Sequence, residues 1–262
     1  MTTTATIALD ELLAAARGLA LAGRWEQATG LLDAAAAGLS HSPTRAVLAL
    51  AAAEIAVDSA WYNGNGDGAD RLSTVDENAL DDNGRWDLGF ARLRYEYRGK
   101  MRKPDPALRD RAERFIATAP DGLRLGWAHH YLGLIYDNVL EDRAAAPAHY
   151  ERALANAAGD DLLRREAQRH LGDHAHEAGN HAEARERWHE ATALGARAGL
   201  VAGTLSQQVL LAVLARDTGD EPGAVALATE VHRWAEAIGA ARIAQTTSDF
   251  LQGIDPTQPP PA

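Results

Sequence analysis

The chain has 262 residues, of which 46% are hydrophobic and 24% charged, as in ordinary globular proteins. Its 26 basic and 37 acidic side chains give a formal charge of −11, which repels phosphates and disfavours nucleic acid as the main partner. No stretch reaches the roughly 18 uncharged apolar residues of a membrane span, and the lack of cysteine excludes disulfides and thiolate zinc sites. Residues 1–10 do not resemble a secretion signal, so we expect a cytoplasmic protein.

Helix-forming residues dominate the chain, because alanine, leucine, arginine and glutamate are abundant and runs of β-branched residues do not occur. The sequence therefore predicts an all-α fold. In chain order, the predicted helices span 7–22, 25–39, 44–62, 68–81, 84–99, 106–118, 122–139, 144–157, 160–178, 181–197, 200–217, 221–238 and 239–252. The first twelve are expected to pair into six hairpins, with the last helix as a cap. The proline-rich segment 254–262 is predicted to be disordered.

A turn pattern recurs within three of the predicted hairpins, at residues 22–28, 178–184 and 218–224: a small residue, then Gly, then four residues, then Ala. The glycine can end the first helix in a left-handed conformation, and Asn180 or Asp220 can cap the second. Glu183 stands where a capping box places its acid. The small alanine allows the two helices to approach closely.

Around these turns lies a longer repeated pattern. Its clearest copy comprises Leu171, Gly172, Ala175, Gly179, Ala184, Trp188 and Ala191. Another comprises Leu132, Gly133, Tyr136, Ala146, Tyr150 and Ala153, with Leu140 in place of the turn glycine. The pattern resembles the tetratricopeptide repeat.

The equivalent alanines are Ala28, Ala69, Ala112, Ala146, Ala184 and Ala224. Most are spaced more widely than the family's period of about 34 residues. In this respect the chain resembles the repeat regions of actinobacterial and LuxR-type regulators. The resemblance covers about residues 7–251 and implies a single α-solenoid domain over 1–253.

In this family the first helix of each hairpin lines a concave groove, so the resemblance implies which side chains face a partner. By position, one repeat contributes Glu166, Arg169, Asp173, His176 and Glu177. The preceding repeat contributes Trp127, His130, Leu134, Asp137 and Asn138, and an earlier one contributes Asp87, Ala91, Arg94 and Tyr95. The alternative is that these residues form an ordinary solvated face.

The segment from Arg92 to Arg114 has an excess of basic residues within an acidic chain. Because arginine binds carboxylates and phosphates in a bidentate manner, Arg94 and Arg98 beside Tyr95 could anchor an acidic peptide or a phosphorylated ligand. The alternative is that they pair with acidic side chains of neighbouring repeats.

Several aromatic residues fall in three consecutive first helices: Trp61, Tyr62, Trp86, Tyr95, Tyr97, Trp127 and Tyr131. A small apolar ligand is plausible if they face the groove rather than the core.

Ten histidines raise the question of a metal site, and His170 and His174 lie one helical turn apart. This spacing alone is common, so we expect a structural or solvated role, with no metal and no cofactor. Residues 63–68 resemble the start of a calcium loop, but Thr74 stands where a bidentate Glu is required. The sequence contains neither a phosphate-binding loop nor a serine-nucleophile elbow.

These observations predict a non-enzymatic interaction module that binds a partner peptide or helix in the groove and has no catalytic residues. One alternative is a small-molecule receptor that uses the same aromatic residues with Arg94, His130 or Arg169. Another is an enzyme built on an acid–base pair such as His130 with Asp137 or Asp173.

Overall fold

The computed structural model describes residues 7–63 and 66–257. Within these residues the protein is all-helical and contains no strand, which confirms the all-α class, while the solenoid of six hairpins stays a prediction. Its thirteen α-helices are α1 (Leu9–Leu21), α2 (Trp25–Ala37), α3 (Pro43–Asn63), α4 (Gly68–Thr74), α5 (Asp82–Lys100), α6 (Pro106–Ala117), α7 (Gly122–Asn138), α8 (Ala146–Ala155), α9 (Asp161–Glu177), α10 (His181–Arg197), α11 (Val201–Asp217), α12 (Glu221–Ala237) and α13 (Ala241–Leu251). None of these helices is both long enough and apolar enough to cross a bilayer.

The chain divides into two compact units, and the division falls within α5, between Tyr95 and Glu96. In the first unit α1, α2 and α3 pack on one another, and α3 also packs on α4. In the second unit each helix from α6 to α13 packs on the next along the chain. Contacts also join α7 to α9 and α11 to α13. A single domain over 1–253 stays a prediction.

The observed helices begin and end within two residues of the predicted bounds, with one exception. The predicted helix 68–81 is wrong beyond Thr74, where α4 ends. The hydroxyls of Ser73 and Thr74 donate to backbone carbonyls of their own turn, at 2.7 and 2.9 Å. Such bonds compete with helix continuation. Val75 is extended, and a short 3₁₀ turn follows at Glu77–Ala79.

Two sequence features fall partly or wholly outside the described residues. Of the loop at 63–68, residues 64–65 lie outside them, and of the segment predicted to be disordered, so do residues 258–262. Residues 254–257 follow α13 as a turn, in which the backbone N–H of Thr257 donates to Asp255 Oδ1 at 2.8 Å.

The helices α9 to α12 form a strictly periodic series. Each has 17 residues, and each begins twenty residues after the one before it. A glycine in the left-handed region, with φ between 73° and 89°, follows each of the four helices: Gly179, Gly199, Gly219 and Gly239. The residue after each glycine donates its N–H back into the helix, as Asn180 does to Ala175 O at 2.9 Å. This arrangement satisfies carbonyls that the helix end leaves open.

The predicted caps are present at the start of the second helices. Asn180 Oδ1 accepts the N–H of Glu183 at 3.4 Å, and Asp220 Oδ1 accepts that of Gly223 at 2.9 Å. The carboxylate of Glu183 does not complete a capping box, because the N–H of Asn180 is already bonded to Ala175. It accepts the side-chain amide of Asn180 instead, at 2.8 Å. The small residues after the turns, Ala184 and Ala224, are completely buried, as close helix approach requires.

Candidate functional site

Polar and aromatic side chains of α7, α8 and α9 meet inside the second unit. We call this group the histidine–carboxylate cluster, and it comprises His130, Asp137, Tyr150, Glu166, His170, Asp173 and His174. Its members come from three helices because α8 packs on both α7 and α9, and α7 also contacts α9. The cluster includes four of the residues that sequence analysis assigned to the groove.

Asp137 marks one end of the cluster and is buried. The hydroxyl of Tyr150 donates a hydrogen bond to its Oδ2 at 2.6 Å. The Nε2 atom of His174 lies 3.1 Å from Oδ1, and Nη1 of Arg143 lies 3.6 Å from the same oxygen. Burial, followed by the charge of Asp137, raises the pKa of Tyr150 well above its usual value, so the phenol remains a proton donor. The hydrogen bond from Tyr150 reaches Oδ2, whereas Oδ1 has no hydrogen-bond partner within the described residues.

His130 lies at the other end and is 3% exposed. Its Nδ1 atom has no hydrogen-bond partner within the described part of the chain. Burial, and then the neighbouring His170, lower the pKa of His130 to about 3. The imidazole is therefore neutral at physiological pH. Aromatic rings surround it, with centroids 5.4 to 5.8 Å away: Trp127, Tyr131, Tyr150 and His170.

Glu166 is the carboxylate nearest to His130 along α9, and it is ion-paired with Arg165. Burial, the largest single effect, would raise the pKa of Glu166, but the charge of Arg165 together with those of its other neighbours outweighs it and the pKa lies at about 2. Arg165 is only 3% exposed and also donates from Nη2 to the carbonyl of Gly203 on α11, at 2.8 Å. Glu166 is thus a fixed negative charge inside the unit.

Asp173 connects His170 to the second helix of the same pair. Its Oδ2 lies 3.3 Å from Nδ1 of His170, and its Oδ1 accepts a hydrogen bond from Trp188 Nε1 at 3.2 Å. Arg169 Nη1 lies 3.8 Å from the same carboxylate and 3.3 Å from Nε2 of His170. Burial would raise the pKa of Asp173, but the charge of Arg169 and the bond to His170 hold it at about 2.

The remaining groove candidates of α9 form ion pairs with neighbouring segments. His176 Nε2 lies 2.7 Å from Asp217 at the end of α11. Glu177 is exposed and pairs with Arg143, which precedes α8, at 2.7 Å.

In the first unit, Arg94 on α5 is paired with the Asp58 carboxylate and lies 3.9 Å from Glu54, both on α3. Its side chain is only 14% exposed. The geometry favours the alternative that this arginine serves intramolecular pairing. Tyr95 is 36% exposed and lies beside Gly68, and Asp87 is partly exposed on α5.

Arg98 lies in the part of α5 that belongs to the second unit, where it is partly exposed. Trp127 is partly buried and packs against the core cluster of α8 and α9.

Sequence analysis assigned no site role to three members of the cluster: Tyr150 was named only as a repeat position, and His170 and His174 were considered as a metal pair but expected to be structural or solvated. The sequence contains one signal for this cluster: Glu166, His170 and His174 follow one another at four-residue spacing and therefore share a helix face. Within the cluster, however, the two histidines have different partners. His174 contacts Asp137 and His170 faces His130, which is why the pair does not form a two-histidine site by itself.

The chemical capacity that the cluster offers is cation binding near His130. One ligand atom each from His130, Glu166 and His170 lies within 4.8 Å of the others, and this is the one group of three possible metal ligands found among the described residues.

Comparisons of the chain with models of known protein families, with curated proteins and with solved structures find no match.

Proposed function

We propose that the protein is a non-enzymatic interaction module of tetratricopeptide type, in which first helices bind a peptide or helix of a partner protein. In the second unit these helices are α7, α9 and α11. The observation that carries the proposal is the exact twenty-residue periodicity of α9 to α12, with a left-handed glycine after each helix. An array of equal helical pairs presents the same face of every first helix in succession.

The chemistry of that face supports the proposal. Four groove positions of α9 retain partial or full exposure: Arg169, Asp173, His176 and Glu177. The pair of Glu177 with Arg143 and that of Arg169 with Asp173 are partly exposed, and such pairs contribute little stability. A partner segment with charges of both signs could replace these contacts one by one.

The experiment begins with native mass spectrometry of the protein gently purified from its own host. The proposal expects a polypeptide-sized mass addition, which identifies the partner. Binding of that partner is then measured for the double variant Arg169→Ala/Glu177→Ala. A matched control is Arg233→Ala/Glu230→Ala, because that exposed ion pair lies on the second helix α12, at 2.5 Å, and its removal changes charge equally.

We expect the α9 variant to bind at least about tenfold more weakly, as for loss of central interface contacts, and the α12 control to bind normally. Circular dichroism must show both variants folded. Equal affinity of the folded α9 variant and the wild type would exclude this face as the binding surface.

A small-molecule receptor is the second candidate, and one observation favours it. Gln207 on α11 is completely buried, and neither atom of its amide has a hydrogen-bond partner in the described residues. Buried polar groups are nearly always satisfied, so such an amide is a candidate contact for a polar ligand. A mass addition of a few hundred daltons in the same native spectrum would support this function over partner binding.

A further inference from the structure

We propose that His130, Glu166 and His170 form a binding site for a divalent transition-metal ion such as Zn²⁺. Glu166 and His170 lie one turn apart on α9, and α7 supplies His130 from the facing helix. One donor atom from each residue lies within 4.8 Å of the others. Helical bundles build metal sites in this way, from side chains that converge between helices.

The unpartnered nitrogen of His130 is the second observation that points to a ligand. A histidine that is 3% exposed normally finds a hydrogen bond for each ring nitrogen that water cannot reach, yet Nδ1 has none in the described chain. A neutral imidazole offers its lone pair to a metal without first losing a proton.

Glu166 supplies the negative charge that the site requires. Its Oε1 atom pairs with Arg165, which leaves Oε2 to coordinate. Two imidazoles and one carboxylate are a donor set that zinc sites with three protein ligands use, and they leave a fourth position for water or another ligand. Imidazole nitrogen favours Zn²⁺, Cu²⁺ or Ni²⁺ over Mg²⁺ or Ca²⁺, which prefer oxygen donors.

Asp173 acts as a positioning residue for His170. Its Oδ2 lies 3.3 Å from Nδ1 of His170, so the metal would take the other nitrogen, Nε2. Histidine ligands commonly present one nitrogen to the metal and hold the other against a carboxylate. Loss of this type of support typically lowers metal affinity by about 10- to 100-fold.

Arg169 competes with the metal for His170. Its Nη1 atom lies 3.3 Å from Nε2 of His170, and binding requires this guanidinium to move toward Asp173, 3.8 Å away. The donors must also approach one another, since tetrahedral coordination at about 2.0–2.1 Å places nitrogen atoms roughly 3.3 Å apart.

The test is calorimetric titration of the full chain with Zn²⁺, after treatment with a chelator and its removal. We expect one Zn²⁺ per chain and a higher melting temperature with zinc, because a ligand that binds only the folded state stabilises it. Variants of buried His130 risk unfolding the chain, so Glu166→Gln and His170→Gln carry the test. Each should weaken binding by more than about tenfold while circular dichroism remains unchanged.

Matched controls are Glu177→Gln, on the same helix, and His41→Gln, whose side chain is 90% exposed; both should bind Zn²⁺ as the wild type does. Arg169→Ala should bind it more tightly. Three outcomes would overturn the proposal: no stoichiometric binding, binding that survives in Glu166→Gln and His170→Gln, or binding lost only in His149→Gln. The last would place the metal at the separate His129–His149 pair, whose Nδ1 atoms are 3.2 Å apart.

Discussion

Gly172 of α9 lies against the indole ring of Trp188 on α10, so closely that a Cβ atom at this position would be 2.4 Å from Cδ1 of the ring. The same relationship joins α7 and α8, where a Cβ on Gly133 would lie 2.6 Å from Cε1 of Tyr150. Both aromatic side chains are completely buried. The glycine in the first helix and the aromatic residue in the second are therefore one packing unit that holds each pair together.

The substitution Gly172→Ala should destabilise the protein by about 2–3 kcal/mol, because the added methyl group overpacks a rigid, buried ring. The indole cannot move freely, since its Nε1 donates to the carbonyl of Arg169 at 3.0 Å. Urea denaturation measures the change in the free energy of unfolding. Gly99→Ala is the control: no atom lies within 4 Å of its added Cβ, so it should be neutral or slightly stabilising. Equal losses in both variants would contradict this explanation.

The periodic glycines permit a second prediction. Gly199 has φ 74° and open space around the position of a Cβ, so its substitution tests backbone conformation alone. Gly199→Ala should cost about 1–2 kcal/mol, the penalty of a left-handed L-residue. Gly199→Asn should cost less, because asparagine tolerates this conformation. Thermal melting of the two variants gives the comparison, and an alanine variant as stable as the wild type would show that the turn relaxes.

A third prediction concerns the buried carboxylate of Asp137. Tyr150→Phe keeps the ring but removes the 2.6 Å hydrogen bond to Oδ2, and should destabilise the protein by about 2 kcal/mol, as for loss of a bond to a buried charge. Tyr136→Phe is the matched control, since Tyr136 is only partly buried and stacks on His149. Chemical denaturation of both variants measures the change in the free energy of unfolding. If Tyr136→Phe lost as much stability as Tyr150→Phe, the loss could not be attributed to the hydrogen bond between Tyr150 and Asp137.

Much of the fold could be predicted from the sequence because its signals are local. Glycine turns, the caps Asn180 and Asp220 and the apolar spacing act within one or two helical turns. They predict both ends of α10 without error and the other helices except α4 to within two residues. The exception is α4. The apolar spacing around Ser73 and Thr74 is compatible with a longer helix, but the hydroxyls of these two residues donate to backbone carbonyls of their own turn.

The candidate site could be predicted only in part, because its contacts join residues far apart in the chain. His130 and Glu166 were identified by repeat position, as groove residues, but their relation to His170 depends on the contact between α7 and α9. Nothing local distinguishes a histidine that faces solvent from one that is 3% exposed between helices. The repeat pattern predicts which helix face these residues share, whereas their burial depends on how the helices pack.

The adjacent imidazoles of His149 on α8 and His129 on α7, whose ring centroids are 5.4 Å apart, make stability depend on pH. Burial first, then the charges of His129 and Arg152, lower the pKa of His149 from its usual 6.5 to about 4, and Tyr136 covers its other side. The folded chain therefore binds fewer protons than the unfolded chain between these values, so stability falls as pH falls through this window.

The variant His149→Gln, which cannot titrate, tests this prediction. Between pH 7 and pH 5 its free energy of unfolding should fall by about 1 kcal/mol less than that of the wild type, after allowance for screening by water. Urea denaturation at both pH values measures this difference. His41→Gln, at an exposed histidine, should keep the wild-type dependence, and an unchanged dependence in His149→Gln would show that another group is responsible.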